Sequence, residues 1–172
     1  ITEDNTGSAD GEFGDELKPG TQLLHGQYTI ERFLNSGGFG MTYLAKDSLD
    51  RIVVIKECYP ASFCCRTATD VRARSRSQQT EFNAIVRLFG QEARRLSKLD
   101  HPNIVGVHQV FEDNGTAYMA LDYVHGKDLL DIIEEEPNKF GPTEIRGMLM
   151  KLLEAIAFIH DQSILHRDIS PD

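Results

Sequence analysis

The feature that most limits how this chain can fold is a glycine-rich turn between two stretches with the pattern of β-strands. The first stretch begins at Tyr28 and reaches Leu34, and the second runs from Met41 to Ala45. The turn between them, Ser36 to Gly40, contains glycines that let the backbone approach another group closely and direct N–H groups at it. This arrangement suits a phosphate ligand. A glycine-rich hairpin without any ligand is also common, so the turn alone does not decide the function.

The segments that follow predict a single domain with both strands and helices. A third strand is expected at 52–58, where β-branched residues dominate. The next segment, 59–80, carries four arginines and is expected to be irregular. An apolar stripe at helical spacing then predicts a helix. The stripe comprises Phe82, Ile85, Val86, Phe89, Ala93, Leu96 and Leu99.

The second half of the chain predicts a β-hairpin followed by two helices. Asn114-Gly115 lies between two apolar runs, and these two residue types tolerate the positive φ that both turn positions require. A short helix is expected over 127–136. A longer helix is expected to begin near Pro142, because proline suits the first turn of a helix.

The chain is acidic, and most of this acidity lies at its start. The net charge is −9, and the first sixteen residues contain six carboxylates but no lysine or arginine. Removing these six charges from the total leaves −3 for the rest of the chain. We expect residues 1–20 to form a flexible acidic leader. An acidic chain argues against nucleic acid as a partner, since phosphates require a basic surface, and no apolar run is long enough to predict a membrane segment.

The three cysteines, Cys58, Cys64 and Cys65, form neither an even set nor a paired C-x-x-C pattern. We therefore expect free thiols rather than disulfide bonds or a zinc site, although the adjacent pair Cys64-Cys65 leaves a redox role open. Free thiols are typical of reducing compartments, so the expected location is cytoplasmic.

A lysine and a glutamate on separate elements carry charges that require explanation. Lys56 lies near the end of the strand 52–58, where it must either meet an anion or extend to water. Glu92 lies on the apolar stripe, three residues after Phe89 and four before Leu96. A carboxylate on such a face is costly without a cation, and Lys56 is the candidate partner.

The last motif is His166-Arg167-Asp168, which follows a long predicted helix. An aspartate in such a loop can accept a proton from a hydroxyl group. The three residues also occur together by chance, so this motif gains meaning only in combination with the others.

In combination, the order and spacing of the motifs resemble the signature of protein kinases of the eukaryotic type. The signature runs from the glycine-rich loop through the strand lysine, the helix glutamate and His101-Pro102-Asn103-Ile104 to His-Arg-Asp. The resemblance covers about Tyr28 to Asp172. Within the family, Ile-Lys-Glu-Cys-Tyr-Pro at 55–60, the arginine-rich insert and Asn-Gly-Thr-Ala-Tyr-Met at 114–119 resemble a subgroup of bacterial serine/threonine kinases, which implies bacterial signalling.

The resemblance implies an α+β, protein-kinase-like fold. A five-stranded antiparallel N-lobe sheet with its C-helix is expected over 21–121, with the insert at 59–80. The hinge and the first helices of an incomplete helical C-lobe, ending in the catalytic loop, are expected over 122–172.

The same resemblance implies roles for individual residues. Lys56 would hold the α- and β-phosphates of ATP and pair with Glu92, and Asp168 would be the catalytic base. His166 and Arg167 would support the catalytic loop. The glycine-rich loop, the roof over adenine, the gatekeeper position at residue 121 and the hinge would supply the other nucleotide contacts. These are Leu34, Asn35, Ser36, Gly37, Gly38, Phe39, Gly40, Met41, Thr42, Val54, Leu121, Asp122, Tyr123 and Val124.

Three positions depart from the family pattern. Asn35 replaces the first glycine of the loop, but asparagine tolerates left-handed backbone, so we expect the loop to close. Thr42 replaces the usual valine and adds a hydroxyl near adenine. Ser170 replaces the lysine that contacts the γ-phosphate, so phosphotransfer by the full-length protein is expected to be slow but measurable. An arginine or lysine of the insert is the candidate substitute.

The chain ends at Asp172, before the asparagine and the Asp-Phe-Gly segment that hold Mg²⁺ in the family. This polypeptide alone is therefore expected to be catalytically incomplete, as a truncated kinase or a natural split kinase. The helix at 142–161 is expected to expose apolar surface that favours a partner or self-association.

Three functions stay open at this point. The first is a kinase that transfers phosphate from ATP to serine or threonine hydroxyls of a protein substrate. The second is a pseudokinase that binds nucleotide or serves as a scaffold, and the third is a small-molecule phosphotransferase. Arg167 and the His-Pro-Asn-Ile segment at 101–104 favour the first.

Overall fold

The computed structural model describes residues 14–38, 40–167 and 169–170. In chain order the strands are β1 (Gln22–Leu23), β2 (Tyr28–Gly37), β3 (Gly40–Asp47), β4 (Ile52–Cys58), β5 (Cys64–Thr67), β6 (Asp70–Ala73), β7 (Val107–Asp113) and β8 (Thr116–Asp122). The helices are α1 (Gln79–Leu96), α2 (Leu129–Glu135) and α3 (Pro142–Asp161), and a 3₁₀ turn, Arg76–Gln78, precedes α1.

One antiparallel sheet contains six of these strands in the order β1-β2-β3-β4-β8-β7. The five strands that the sequence predicts are all present. The sixth is β1, a two-residue strand at the sheet edge, which is too short to show an alternating pattern in the sequence.

Strand alternation gives the sheet two different faces. On β4, Val53, Ile55 and Glu57 are buried, whereas Val54 is half-buried and Lys56 is exposed. The buried face forms the main core of the domain. This core comprises Leu17, Leu23, Tyr28, Ile30, Tyr43, Ala45, Val53, Ile55, Phe111, Tyr118 and Ala120.

The β7–β8 turn confirms the hairpin predicted from Asn-Gly. Asn114 has a φ of 48° and Gly115 a φ of 73°, and the strands that they join pair from Asp113 opposite Thr116 onward. Gly115 also has a packing reason to lack a side chain, because an added Cβ would lie 2.6 Å from the Val71 carbonyl oxygen.

The insert 59–80 is ordered, so the prediction that it would be irregular is wrong. Strands β5 and β6 form a separate two-stranded hairpin, and a second apolar core made by Tyr59, Cys64, Val71 and Phe82 fixes it against α1. Only Cys64 and Val71 of these two strands are fully buried. Two inward residues on four-residue strands are too few to show the alternation that identifies a strand.

The helices follow the predicted positions closely. Helix α1 is continuous, with Gly90 buried inside it. The Asp128 side chain caps α2 by accepting a hydrogen bond from the Asp131 backbone N–H at 2.7 Å. Helix α3 begins at Pro142, as predicted. Within the ranges that the structure describes, no helix is long and apolar enough to cross a membrane.

The start of the fold lies earlier than the predicted end of the leader at residue 20. Leu17 is only 2% exposed, and its backbone N–H donates to the Tyr43 hydroxyl at 3.1 Å. Leu17 fixes this segment to the core. A single leucine among charged residues forms no pattern that predicts its burial. Residues 1–13 of the predicted leader lie outside the described residues.

Helix α3 presents the apolar surface that the sequence predicts. Its buried residues are Ala155 and Ile159, and it packs beneath the loop that follows α1. Asn103 donates from its side-chain amide to the Lys151 carbonyl at 3.4 Å, and the rings of His101 and Phe158 lie 5.1 Å apart. The exposed apolar residues of α3 are Ile145, Leu149, Met150, Leu152 and Leu153.

Candidate functional site

Several residues expected to surround a nucleotide meet on the less buried face of the sheet. Met41 does not, because it lies opposite Glu57 and packs against the buried cores. Lys56 on β4 lies directly opposite Thr42 on β3 and Met119 on β8. One alternation earlier, Val54 lies opposite Leu121. Because strand neighbours two positions apart share a face, the structure brings together side chains that are up to 79 positions apart in sequence, from 42 to 121.

The glycine-rich hairpin joins β2 and β3 at one end of this face. Gly37 pairs with Gly40 across the hairpin, while Phe39 lies outside the described residues. Gly40 is buried, and an added Cβ would collide with the Glu57 carbonyl oxygen. Glycine at position 40 therefore lets β3 approach β4 closely, whereas Gly37 and Gly38 have no atoms within 4 Å of an added Cβ.

The two substitutions in the hairpin fit the strands without strain. Asn35 pairs with Thr42 in the β2–β3 ladder and does not adopt a positive φ. The fit of Asn35 therefore does not depend on the tolerance of asparagine for left-handed backbone. Leu34 falls at the irregularity between Phe33 and Asn35, which tilts the end of β2 relative to β3.

The predicted hinge begins where β8 ends. The Asp122 backbone N–H donates to the Gly106 carbonyl at 2.9 Å, and the Asp122 carboxylate accepts from the Gly106 N–H at 3.2 Å. The same carboxylate lies 2.8 Å from His108 Nε2. Asp122 is therefore held by β7-side partners, while Val124 is 65% exposed and leaves the backbone after β8 accessible.

The predicted ion pair between Lys56 and Glu92 is not formed. Both side chains are exposed, and neither joins an ion pair with another described residue. Helix α1 is buried through Phe82, Gly90 and Ala93. Glu92 is one residue before Ala93, about 100° away around the helix axis, so its carboxylate faces water rather than the core.

A different glutamate, Glu57, is the buried acid of this region, and the sequence analysis missed it. Its side chain is 0% exposed and lies 2.5 Å from the Arg66 guanidinium of β5, which is itself 5% exposed. The hydroxyls of Tyr43 and Tyr118 donate to its two oxygens at 2.8 and 2.6 Å. The alternation Val53-Ile55-Glu57 could have revealed this acid, because it places Glu57 on the buried face.

Arg66 extends this network to the start of the fold. Its Nε donates to the Asp15 carbonyl, and one terminal nitrogen donates to the Thr69 carbonyl at 2.8 Å. The guanidinium also lies over the Tyr59 ring, 5.0 Å from the centroid. The buried arginine thus joins the insert, the sheet and the segment before β1, directly behind the strand that carries Lys56.

The buried network changes the acidity of its members. Burial raises the pKa of Tyr43 and of Tyr118, and the neighbouring Glu57 carboxylate raises both further. Burial likewise raises the pKa of the Cys58 thiol to about 11 and that of the Cys64 thiol to about 12. These groups therefore stay protonated near neutral pH, and the redox role left open for Cys64 lacks a thiolate.

The predicted catalytic loop follows α3. Asp168 lies outside the described residues. His166, Arg167 and Ser170 are exposed, and Arg167 has a φ of 65°. Throughout the described ranges, no group of three or more His, Cys, Asp or Glu residues could hold a metal ion.

Comparison with known proteins places these features in a family context. Residues 28–172 match the protein kinase domain family. The chain is 33% identical over 149 residues to the serine/threonine-protein kinase PrkC of Bacillus subtilis and 31% identical over 157 residues to the serine/threonine-protein kinase pkn2 of Myxococcus xanthus. These alignments cover 86% and 91% of this chain but only 20% and 17% of the relatives.

Solved structures show the same similarity. A chain described as the apo form of PpkA-294 superposes with a TM-score of 0.82 at 35% identity, covering 92% of this chain and 57% of that one. The PknI kinase domain of Mycobacterium tuberculosis superposes with a TM-score of 0.65 at 25% identity, covering 91% and 55%. The chain therefore spans little more than half of these kinase structures.

Proposed function

Because this chain belongs to the protein kinase family, we propose that the intact protein transfers the γ-phosphate of ATP to serine or threonine hydroxyls of a protein substrate. The relatives that bear the name serine/threonine-protein kinase support the choice of acceptor. The predicted family and kinase-like fold are confirmed by the family match and the superposition. The reaction, the cofactors and the substrate class are our proposal.

The observation that carries this proposal is the environment of Lys56. It is an exposed cation near the end of β4, opposite Thr42 and next to the glycine-rich hairpin, and no described carboxylate forms an ion pair with it. A cation beside open backbone N–H groups suits a polyphosphate. Val54 and Leu121 continue the same face with apolar surface for a base.

In this proposal, charged and apolar side chains bind different parts of the nucleotide. Lys56 binds phosphate oxygens, and Ser36 to Gly38 bring their backbone close to them. Thr42, Val54 and Leu121 contact the base, whose polar edge meets the backbone at 122–124. Mg²⁺, when bound, supplies neutralisation of the phosphate charge. The described residues contain no cluster of three or more metal-binding side chains.

Pairing of Lys56 with Glu92 requires a change in α1. The buried contacts of the helix at Phe82 and Ala93 leave Glu92 in water. We infer that rotation or inward movement of α1 brings the carboxylate to Lys56 when nucleotide is bound. Asp168 then acts as the base that accepts the proton of the substrate hydroxyl, with His166 and Arg167 supporting its loop.

The cellular setting is also part of the proposal. Cys58 and Cys64 are free and buried, and free thiols together with the use of ATP favour a cytoplasmic signalling enzyme. The exposed apolar residues of α3, including Leu149 and Leu153, favour contact with further protein, and self-association through this helix stays a prediction.

A nucleotide titration tests the central claim. Replacing Lys56 by Met removes the cation that faces the phosphates, so we expect the affinity of this chain for a fluorescent ATP analogue to fall at least about tenfold, equivalent to ~1.4 kcal/mol. Binding is measured with and without Mg²⁺. Lys46→Met on the neighbouring strand is the matched control, because Lys46 pairs with Glu31 at 3.2 Å and lies away from the hairpin.

If the Lys56→Met and Lys46→Met chains bind the ATP analogue with equal affinity, Lys56 does not contact the nucleotide. A second measurement, phosphate transfer to serine- or threonine-containing protein by the full-length protein, separates the kinase from the scaffold. Nucleotide binding without any transfer would favour the pseudokinase, and transfer only to small molecules would favour the phosphotransferase.

A further inference from the structure

Two adjoining depressions lie on the surface between α1, the insert hairpin and the β7–β8 turn. One has a volume of about 510 Å³ and lies between α1 and the β7–β8 turn, and the other has a volume of about 550 Å³ and lies between α1 and β6. Phe82, Asn83 and Gly115 line both. We call the continuous surface around these three residues the arginine groove.

The name reflects its five arginines. The insert contributes Arg72, Arg74 and Arg76, and α1 contributes Arg87 and Arg94. This cluster makes the groove locally positive, although the net charge of the chain is −9. The groove also contains two acids, Glu112 and Asp113, so its arginines outnumber its carboxylates.

Most of this positive charge is not neutralised within the fold. The Asp113 carboxylate accepts backbone N–H groups of Leu24 and Asn114, each at 2.8 Å. Arg72 has only a long, exposed pair with Asp70 at 3.4 Å. Across the residues that the structure describes, no ion pair involves Arg74, Arg76, Arg87 or Arg94. The groove therefore presents cations that an acidic ligand can reach.

The geometry of α1 aims its arginines into the groove. Asn83, Arg87, Gly90 and Arg94 follow one another at spacings of four, three and four residues, which places them on one face of the helix. Glu92 lies nine positions after Asn83, on the opposite side of the helix. Occupation of the groove would thus leave Glu92 free to approach Lys56.

The walls of the groove are fixed before any ligand binds. The Val71 backbone N–H of β6 donates to the Asn114 carbonyl of the β7–β8 turn at 2.8 Å. Phe82 is 3% exposed and anchors α1 in the second core. A preformed site loses little conformational entropy when a ligand binds.

We propose that the arginine groove binds the acidic segment 1–13 of the same chain. This segment contains four carboxylates, Glu3, Asp4, Asp10 and Glu12, and no lysine or arginine. Its charge is therefore complementary to that of the groove. Opposite charges at such a surface attract within a Debye length of about 8–10 Å at physiological salt.

The first described residues lie close to the groove, so a segment attached to them can reach it. The Asp15 carbonyl accepts a hydrogen bond from Arg66 of β5, and Arg66 pairs with Val71 of β6, a residue that lines the groove. Thirteen residues can span at most about 45 Å, which is ample to cross the groove. The covalent link raises the effective concentration into the millimolar range, so weak contacts suffice.

Nuclear magnetic resonance of the full 172-residue chain tests this binding. Neutralising the segment with Glu3→Gln, Asp4→Asn, Asp10→Asn and Glu12→Gln should shift the backbone resonances of Asn83 and Gly115 at low salt. Neutralising four exposed carboxylates elsewhere, with Asp50→Asn, Asp100→Asn, Glu134→Gln and Glu154→Gln, is the matched control and should leave these resonances unchanged. High salt should reproduce the effect of neutralising the segment.

A second set of variants identifies the binding surface. A synthetic peptide of residues 1–13 added to the neutralised chain should restore the parent resonances, with an affinity that falls about tenfold when Arg76, Arg87 and Arg94 are all replaced by Gln. Replacing Arg146 of α3 by Gln controls for loss of a cation outside the groove. Groove resonances that are identical in the parent and the segment-neutralised chain would overturn the proposal. A response that persists after the three arginine replacements would overturn it as well.

Discussion

Adjacent residues on β4 serve opposite purposes because a strand alternates its side chains. Lys56 extends from the open face toward the proposed nucleotide, whereas Glu57 enters the core and meets Arg66. A charge in the core is tolerated only when it is paired and hydrogen-bonded. Glu57 satisfies both conditions through Arg66 and two tyrosine hydroxyls, and in doing so it fixes the strand on which Lys56 lies.

At the residue scale, removal of Arg66 should be costly. Arg66→Met leaves the Glu57 carboxylate buried without its cation, and we expect the free energy of unfolding to fall by about 3–5 kcal/mol. Urea denaturation measures the change. The matched control is Arg72→Met in the same hairpin, where the pair with Asp70 is exposed and worth at most about 1 kcal/mol.

A second variant separates loss of charge balance from loss of packing. Glu57→Gln in the Arg66→Met chain removes the unpaired charge but keeps an acceptor for the tyrosine hydroxyls, so part of the lost stability should return. Equal destabilisation by Arg66→Met and Arg72→Met would show that the buried pair does not hold the insert.

At the scale of elements, the β5–β6 hairpin is the part of the fold that differs most from expectation. The sequence of the insert suggests an exposed basic loop, yet Cys64 and Val71 pack into a core with Tyr59 and Phe82. The hairpin thus packs against α1 through this second core. Its arginines divide accordingly, with Arg66 buried and Arg72 exposed.

The thiols report whether this hairpin is folded in solution. Burial raises the pKa of Cys58 to about 11 and of Cys64 to about 12, so at pH 8 only about one thiol in a thousand or fewer is ionised at either position. We expect one fast-reacting thiol, Cys65, in a colorimetric thiol assay of the folded chain. All three should react in urea, and two or more fast thiols without urea would contradict the buried hairpin.

At the scale of the whole molecule, the two ends of the described fold differ in how completely they are packed. The sheet, the insert and α1 enclose two continuous cores. Helix α3 buries only Ala155 and Ile159 and leaves Leu149, Met150 and Leu153 exposed. The stability of the described chain therefore depends chiefly on the sheet and its buried polar network.

This dependence predicts a loss of stability at alkaline pH. Burial, reinforced by Glu57, raises the pKa of Tyr43 and Tyr118 above the unfolded value of about 10. The folded chain holds these protons more tightly, so their contribution is complete below pH 10 and is lost as the pH rises further. The free energy of unfolding, measured by urea titration from pH 7 to 11, should stay level to about pH 8. It should then fall, first as the pH passes the unfolded pKa of the buried Cys58 and Cys64 thiols and more steeply above pH 10 because of the two tyrosines.

Replacing one of these tyrosines tests the assignment. Tyr43→Phe removes a titrating group from the network, and the decline per pH unit above 10 should become shallower than in the parent chain. A decline of unchanged steepness would assign the alkaline transition to other groups.

The sequence by itself determined the family and the order of the five main strands and the three helices, and it predicted which residues would contact a nucleotide. Local patterns carry this information, such as the alternation that puts Val54 and Lys56 on one face and the positive φ that selects Asn114-Gly115. The same alternation could have indicated the burial of Glu57, but its partner Arg66 lies in a hairpin that the sequence did not predict.

Only the tertiary structure decided that Glu92 lies in water, that Arg66 meets Glu57 and that five arginines share one groove. Helical periodicity states which residues share a face, but not which face meets the sheet. That choice depends on packing between Phe82, Cys64 and Val71, whose contacts join separate parts of the chain. Their joint packing fixes the rotation of α1, and this rotation leaves the Glu92 carboxylate in water.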